Sequence, residues 1–486
     1  MMELHNILNN VSISQVFGKT DCPIRAINFD SRKVGKGDLF VATVGTVVDG
    51  HLFIDKAIEL GATAVLCEVL PENLVSNVTY VQVIDSSEAL GFAASNFYGN
   101  PSSKIKLIGV TGTNGKTTCA TLLFELFQDL GYTVGLLSTV ENKVNDEVIP
   151  STHTTPDAVG LNALLAQMLE KGCTHCFMEV SSHAVHQKRI AGLDFDGAVF
   201  TNITHDHLDY HKTFANYIGA KKMFFDGLKK KAFALVNGDD KRGTVMLQNT
   251  KASKKYFALR TPADFKGRIL DSTLQGLELD FNGHNLWVRL LGDFNAYNLL
   301  AVYGVAMELG EDEQEVLQII SLLKPVNGRF QQLVSPQGVV GVVDYAHTPD
   351  ALENVLETLN HFKKGSTNII TVVGCGGDRD TEKRPVMAQI ATKMSDRVIF
   401  TSDNPRTENP SSILKDMNEG VAITQKKKTI TLEDRSEAIK LAVSFAQEGD
   451  IVLIAGKGHE TYQEVDGVRH HFDDKEQLNK VFQLMQ

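Results

Sequence analysis

Cysteine is scarce in this chain, and so are long apolar or basic stretches. The six cysteines are scattered, which excludes a dense disulfide scaffold and fits free thiols in a reducing compartment. Cys173 and Cys176 form a C-x-x-C, but no second pair completes a zinc site. Inside an apolar, strand-like run (173–180) they read as buried thiols. No apolar run approaches the ~18 residues that span a bilayer. Met1-Met2-Glu3-Leu4-His5 lacks the basic start and apolar core of a secretory signal, so a cytoplasmic protein with no membrane span is expected. Lys and Arg total 48 against 59 Asp and Glu, a formal charge of −11, and there is no basic tract. Nucleic-acid binding is therefore not expected. Anionic ligands must be held locally, by helix N-termini and single Arg or Lys residues.

Hydrophobic residues make up 43% of the chain and charged residues 22%, the balance of a globular protein. At 486 residues the chain is too long for one core, and about three domains are expected. There are no internal repeats or low-complexity tracts. Up to about residue 98, short strand-like runs alternate with helices, at 38–44, 57–60, 64–68 and 78–84. Gly99-Asn100-Pro101-Ser102-Ser103 reads as a linker. The run 105–110 then leads through a Gly/Thr loop into a helix over 116–130, closed by Gly131. Strand–helix units follow at 133–138, 156–171, 173–180 and 197–203, which predicts a parallel sheet covered by helices. Short alternating runs over 267–291 suggest an antiparallel appendage, closed by helices at 296–309 and 313–323. Residues 324–328 form a second linker. Strands at 339–343, 369–373, 398–401 and 451–455, spaced by helix-length segments, predict a Rossmann-like third domain. The expected fold is thus α/β in three domains: 1–99, a central P-loop parallel-sheet domain over 100–325, and 326–486.

Thr111-Gly112-Thr113-Asn114-Gly115-Lys116-Thr117-Thr118 lies between a strand and a helix. There, backbone N–H groups and the helix N-terminus can wrap phosphate oxygens. Lys116 would reach the β/γ-phosphates and Thr117 would ligate Mg²⁺. The loop is a variant, because Val110 stands where the usual pattern has Gly. Glu179 ends a strand, where ligands of open α/β sheets bind, and is placed to hold a metal beside the phosphates. Residues 201–211 follow another strand and carry a dense His/Asp cluster, open to both a solvated-loop and a metal-site reading. A His among carboxylates is an unusual set for hard Mg²⁺.

These blocks resemble the Mur ligases, which build the peptide stem of bacterial cell-wall precursors. The shared motifs are 112–118, Glu179-Val180-Ser181-Ser182-His183, Asp206-His207-Leu208-Asp209-Tyr210-His211, Gly292-Asp293-Phe294-Asn295-Ala296-Tyr297-Asn298, Gly328-Arg329-Phe330 and Asp344-Tyr345-Ala346-His347. They run in order over essentially the whole chain. Within the family, Gly376-Gly377-Asp378-Arg379-Asp380, Asp403-Asn404-Pro405-Arg406 and Gly456-Lys457-Gly458-His459-Glu460 resemble the branch that adds diaminopimelate as third stem residue.

The resemblance implies an ATP-dependent, amide-forming ligase acting through an acyl phosphate, with Mg²⁺ as cofactor and small molecules as partners, working as a monomer. ATP would meet Gly112, Thr113, Asn114, Gly115, Lys116, Thr117 and Thr118, with Asn295 and Asn298 on the adenine side and Arg329 and Asp344 reaching across a domain gap. The UDP-muramoyl-dipeptide would meet Ser31, Thr46 and Asp49 in the first domain. In the central domain it would meet His153 (where a relative carries Asn), Thr154, Thr155, Ser181, Gln187 and Arg189. Meso-diaminopimelate would meet Arg379, Asp403, Asn404, Pro405, Arg406, Gly456 and Glu460. Catalysis would fall to Lys116, Glu179, His207 and Lys221. The last matches a lysine carbamylated in the family, which would join Thr117, Glu179 and His207 as a metal ligand. Without the resemblance, Lys221 beside Lys222 reads as a solvated lysine, and Arg406 as a partner of Glu408 or another surface acid. Two rival readings are the same ligation with L-lysine or glutamate as amine, against which the Asp403-Asn404-Pro405-Arg406 block argues, and a P-loop ATPase switch without ligation, which the second Rossmann-like domain with its own Arg, Asp and Glu cluster disfavours.

Overall fold

A computed structural model describes residues 1–45, 48–149 and 154–484. Among the described residues three large sheets form along the chain, with two further two-stranded pairs. In the first, Ile13–Phe17, Thr79–Val83, Ala62–Cys67, Asp38–Val41 and Ile27–Asn28 lie in that order, all neighbours parallel except the first pair. Residues 57–60 close the helix Ile54–Glu59 and are not a strand.

The central sheet has a parallel core of seven strands. Their order is Val134–Leu137, His175–Glu179, Lys106–Thr111, Gly197–Phe200, Phe233–Asn237, Ser253–Ala258 and Phe265–Thr273. The central strands of this core are short and largely buried, as expected where both faces are covered, while Ser253–Ala258 and Phe265–Thr273 towards one side are more polar and exposed. Period-two alternation sends Ile108 and Val110 to one face and Leu107 to the other. The first face packs on Leu122, Leu123 and Leu126 of helix Lys116–Asp129 and on Leu299 and Leu300 of helix Asp293–Leu309. The second packs on Leu161 and Leu165 of helix Ala158–Glu170 and on Phe224 and Phe225 of helix Phe214–Asp226. Truncating any one of these leucines to Ala costs about 2–5 kcal/mol.

The expected antiparallel appendage is a continuation of this sheet. Phe265–Thr273 pairs parallel with Ser253–Ala258 at Phe257 and Phe265, then antiparallel with Gly276–Phe281, which pairs with His284–Val288.

The third sheet runs Gln331–Val334, Val340–Asp344, Ile451–Ala455, Ile369–Val373, Arg397–Phe400 and Thr429–Thr431, parallel after its first pair. Its two outer strands and the hairpin Tyr462–Val465/Val468–His471 have no counterpart in the sequence reading. No helix of the described residues is long and apolar enough to cross a membrane. Cys173 and Cys176 are buried free thiols.

Candidate active site

Register places the chemistry. Strand Lys106–Thr111 has His175–Glu179 on one side and Gly197–Phe200 on the other, with Glu179 opposite Val110 and Phe200 opposite Thr111. Glu179 and the segment after Phe200 therefore emerge beside the loop 112–115, at the carboxyl ends of three adjacent strands.

The loop is held by its neighbours. Thr113 N donates to Asn202 O (2.9 Å) and Asn114 N to Asn202 Oδ1 (2.9 Å), while Thr201 Oγ1 donates to Asn114 O (2.6 Å). Gly115 has φ +87°, and a Cβ there would lie 2.5 Å from Asn298 Oδ1. The turn therefore needs glycine on both conformational and steric grounds. Asn298 lies beneath the loop and donates to Asn295 Oδ1 (3.1 Å), and Asn295 donates to Leu291 O (2.8 Å). Thr118 is buried in the first turn of the following helix.

Two lysines converge on one carbonyl. Lys116 Nζ donates to Gly112 O (3.0 Å) and Thr113 O (2.8 Å), and Lys221 Nζ donates to the same Gly112 O (2.7 Å). Lys221 is only 1% exposed, which rules out the solvated-surface reading. The helix Phe214–Asp226 turns Lys222 outward to Asp226 (2.7 Å) and Lys221 inward under the loop. Burial, then the nearby Lys116 charge, pushes the Lys221 amine well below its ordinary range. Burial also lowers Lys116, while Glu179 and Asp206 pull it back up. Two ammonium groups on one buried carbonyl repel, and both burial and the Lys116 charge press Lys221 toward its neutral amine.

Around them stand the donors that could hold a cation. Glu179 is fully buried, and its carboxylate accepts from Thr139 N (2.6 Å) and Thr139 Oγ1 (3.2 Å). His207 sits at φ +55°. Burial lowers its pKa to about 3 against the pull of Asp206, so its imidazole is neutral with a lone pair available. Asp206, absent from the sequence-derived set, lies alongside. Burial alone would raise it, yet His207, His347, Lys383 and Lys116 bring it to about 2. Thr117 Oγ1 accepts from Arg329 Nη2 (3.0 Å).

A second group extends from Glu179. Thr155 Oγ1 donates to Glu179 O (2.8 Å), and the hydroxyls of Thr139 and Thr154 are hydrogen-bonded at 3.0 Å. Ser181 Oγ caps the next helix at Ala184 N (3.1 Å). Arg189 donates to Thr155 O (2.8 Å) and through Nε to Gln187 Oε1 (3.0 Å). Thr154, Thr155, Ser181, Gln187 and Arg189 thus form one polar wall beside Glu179. The first domain abuts the end of that wall, since a Cβ on Gly91 would meet Ala191 O at 2.6 Å. Ser31 opens a turn whose Asp30 accepts from Arg32 N (3.1 Å), and Asp49 accepts from His51 N (3.0 Å). Thr46 and His153 lie outside the described residues.

The third domain closes onto the loop. Asn114 Nδ2 donates to Asp350 Oδ2 (2.7 Å), and His205 Nε2 lies 3.3 Å from Asp380 Oδ2. Arg329 stacks on Tyr345, 4.3 Å from the ring centre. Asp344, raised to about 6 by burial despite Arg329, accepts from Phe330 N (2.6 Å). Asp350 was not singled out from sequence and is brought to the site by a fold contact, whereas His347 lies in the Asp344-Tyr345-Ala346-His347 motif but was given no role.

Deeper in this domain, Asp403, Asn404, Pro405, Arg406, Gly456 and Glu460 come together. Asn404 Nδ2 donates to Glu460 Oε2 (2.8 Å), Arg406 Nη1 donates to Gly377 O (2.7 Å), and a Cβ on Gly456 would lie 2.6 Å from Asp403 Oδ2. Arg379 is exposed and donates to Asp378 O (3.0 Å). Glu408 does not pair with Arg406: Arg384 holds both its oxygens, at 2.8 and 2.9 Å. Arg406 thus forms no ion pair among the described residues, although its charge reaches Asp378, and it shares a domain with the Asp403 and Glu460 carboxylates.

Comparison with known proteins agrees in all three segments. The Mur ligase family catalytic domain matches residues 23–98, the Mur ligase middle domain 110–306, and the Mur ligase glutamate ligase domain 328–458. The chain is a Mur ligase. Members of this family are ATP-dependent, amide-forming ligases, and so is this chain. It is 59% identical over 475 residues to the UDP-N-acetylmuramoyl-L-alanyl-D-glutamate–2,6-diaminopimelate ligase of Cytophaga hutchinsonii, covering 98% of each chain. It is 55% identical over 483 residues to the ligase of the same name from Bacteroides fragilis, covering 99% of this chain and 100% of that one. A solved structure bearing that ligase name aligns with a TM-score of 0.70 at 34% identity, over 100% of this Mur ligase and 99% of that chain. A MurF ligase of Thermotoga maritima solved with ADP shares the fold, with a TM-score of 0.62 at 23% identity over 95% and 97% of the two chains.

Proposed function

We propose that this Mur ligase joins meso-2,6-diaminopimelate to the D-glutamyl γ-carboxylate of UDP-N-acetylmuramoyl-L-alanyl-D-glutamate, converting ATP to ADP and phosphate in the cytoplasm. The observation that carries this reading is near full-length identity of 54–59% to relatives named for that reaction. The unpaired Arg406 beside the Asp403/Glu460 carboxylates supports it, since that arrangement suits an amine bearing an extra carboxylate and an extra ammonium group. It favours diaminopimelate over L-lysine, and an amine pocket over an ATPase switch.

In this reading the γ-carboxylate attacks the γ-phosphorus of ATP, giving an acyl phosphate and ADP. The amine then attacks the carbonyl, loses a proton, and expels phosphate from the tetrahedral intermediate. Lys116 and the N–H groups of 112–118 orient the phosphates and offset charge as it develops. Thr154, Thr155, Ser181, Gln187 and Arg189 hold the acceptor so that its carboxylate meets the γ-phosphate. Asn114–Asp350 and Thr117–Arg329 hold the third domain over the loop and keep water from the acyl phosphate.

The donor set fits a divalent cation: Glu179, neutral His207 and Thr117 present lone pairs, and Lys221 joins them as a carbamate. An unprotonated amine is the form that adds CO₂, and burial pushes Lys221 toward it. Bound there, Mg²⁺ would neutralise the phosphate and carboxylate charges that otherwise repel. The test is an amine panel with ADP release as readout. ADP should appear only when both the UDP-linked acceptor and meso-diaminopimelate are present, with L-lysine a poor substitute. Turnover without acceptor or amine would overturn the reading.

A further inference from the structure

We propose that Lys457 is a positioning residue for amine selection: it holds Glu460 as a carboxylate with one oxygen free for the second ammonium group of the incoming amino acid. This rests on the reading above that residues 403–406 and 456–460 receive the amine.

A fully buried lysine is uncommon because its charge must be compensated. Lys457 is 0% exposed. Its Nζ donates to Glu460 Oε2 (3.0 Å) and Asn404 Oδ1 (3.1 Å), with the Tyr462 ring centre 5.5 Å away. Those bonds fix the Asn404 amide, whose Oδ1 also accepts from Glu464 N (2.9 Å) while Nδ2 donates to Glu460 Oε2 (2.8 Å). Both donors thus fall on Oε2, and Glu460 Oε1 has no hydrogen bond among the described residues. A carboxylate half satisfied by protein and half open suits an ammonium group arriving with substrate.

The surrounding charges show why Lys457 is needed. Glu460 faces Lys457, Asp403, Arg435 and the phenols of Tyr345 and Tyr462. Burial and the Asp403 charge push Glu460 upward, and Lys457 opposes them. Burial would raise Asp403 as well, but Lys457 and Arg435 hold it below its ordinary range. Arg435 is committed to Asp474 (2.7 and 2.8 Å) and Ala455 O (3.0 Å). Lys457 is thus the cation hydrogen-bonded to Glu460. Without it, two buried carboxylates share one pocket with no cation hydrogen-bonded to Glu460, and Glu460 is pushed further toward its protonated form. A protonated Glu460 no longer favours an ammonium group.

The test compares kcat/KM for meso-diaminopimelate and for 2-aminopimelate, which keeps both carboxylates but lacks the second amino group. Wild type, K457M, K457R and E460Q are assayed at neutral and alkaline pH, with thermal melting as a check on folding. Both substrates share the reacting amine, so its own titration cancels in the ratio. Wild type should prefer the diamino substrate. K457M should lose about tenfold or more of that preference at neutral pH and regain it at alkaline pH, while K457R keeps it. Should K457M fail to melt cooperatively, K457Q, which keeps a donor to Asn404 without the charge, carries the same comparison. A wild-type ratio in the charge-free variant overturns the inference, and so does an equal loss for both substrates with no alkaline recovery. E460Q separates the two levels. If it leaves the preference untouched, the amine-pocket reading fails; if it abolishes the preference while K457M retains it, only the role of Lys457 fails.

Discussion

Replacing Arg406 by Ala should strip the enzyme of its preference for a dicarboxylic amine, and the structure sets the size of the effect. The guanidinium spends Nη1 on Gly377 O at 2.7 Å and forms no ion pair among the described residues, though its charge reaches Asp378. The obvious candidate, Glu408, is held in bidentate fashion by Arg384, and Asp378 accepts from the Thr407 hydroxyl at 2.9 Å. One edge of the fork is therefore available to a carboxylate. The turn that presents it is stiff: Pro405 precedes it, Arg406 itself has φ +53°, and Arg406 N donates to Glu464 O (3.0 Å). Losing one partner of a desolvated, charge-assisted pair costs 2–5 kcal/mol. Arg406 is only partly buried, so the lower half applies, about 2–3 kcal/mol, or roughly 30- to 150-fold in kcat/KM at about 1.4 kcal/mol per tenfold. ADP release measured against each amine checks this: meso-diaminopimelate should suffer the full loss, and L-lysine should change by less than about threefold. Equal losses on both amines, or discrimination kept by R406A, would refute the reasoning and place the selector elsewhere.

Lys221→Ala should be nearly inactive with an unchanged melting temperature, and short carboxylates should restore part of the ADP release; full activity without them would remove Lys221 from the site. G115A should fold but lose nucleotide binding by calorimetry, at a cost of about 1–2 kcal/mol for a non-glycine residue held in the left-handed region, before the clash with Asn298 is counted. Asp344, raised to about 6, makes a stabilising contribution that is complete below its unfolded pKa and lost as pH rises through 6. D344N should therefore gain stability relative to wild type between about pH 4 and 7, by up to about 3 kcal/mol at 1.36 kcal/mol per pKa unit. Chemical melts across that range would contradict the account if the two proteins kept a constant difference.

The strand, glycine-rich loop and helix around Gly112 to Thr118 were legible in the sequence because their signal is local and in immediate succession. The α/β class was legible for the same reason, through apolar runs alternating with helix-length segments. Burial of Lys221 was not, because its neighbour Lys222 is equally charged and only the facing of the helix separates them. Asp350 owes its position to closure of the third domain onto the loop, which no local pattern encodes. The strand Thr429–Thr431 and the hairpin Tyr462–Val465/Val468–His471 escaped notice because they are short, polar and largely exposed. The continuation of the central sheet looked like an appendage because its parallel join spans only the pairs Phe257–Phe265 and Ala258–Lys266. Arg406 and Glu408 are neighbours in sequence but face different partners, since the positive φ at Arg406 turns its side chain toward Gly377.

Oxygen-isotope tracing tests the central claim most directly. The acceptor is prepared with ¹⁸O in the D-glutamyl γ-carboxylate and turned over with ATP and meso-diaminopimelate. An acyl phosphate delivers one labelled oxygen to inorganic phosphate for each amide formed, with ADP as the nucleotide product. Unlabelled phosphate, or label recovered in AMP, would contradict the account.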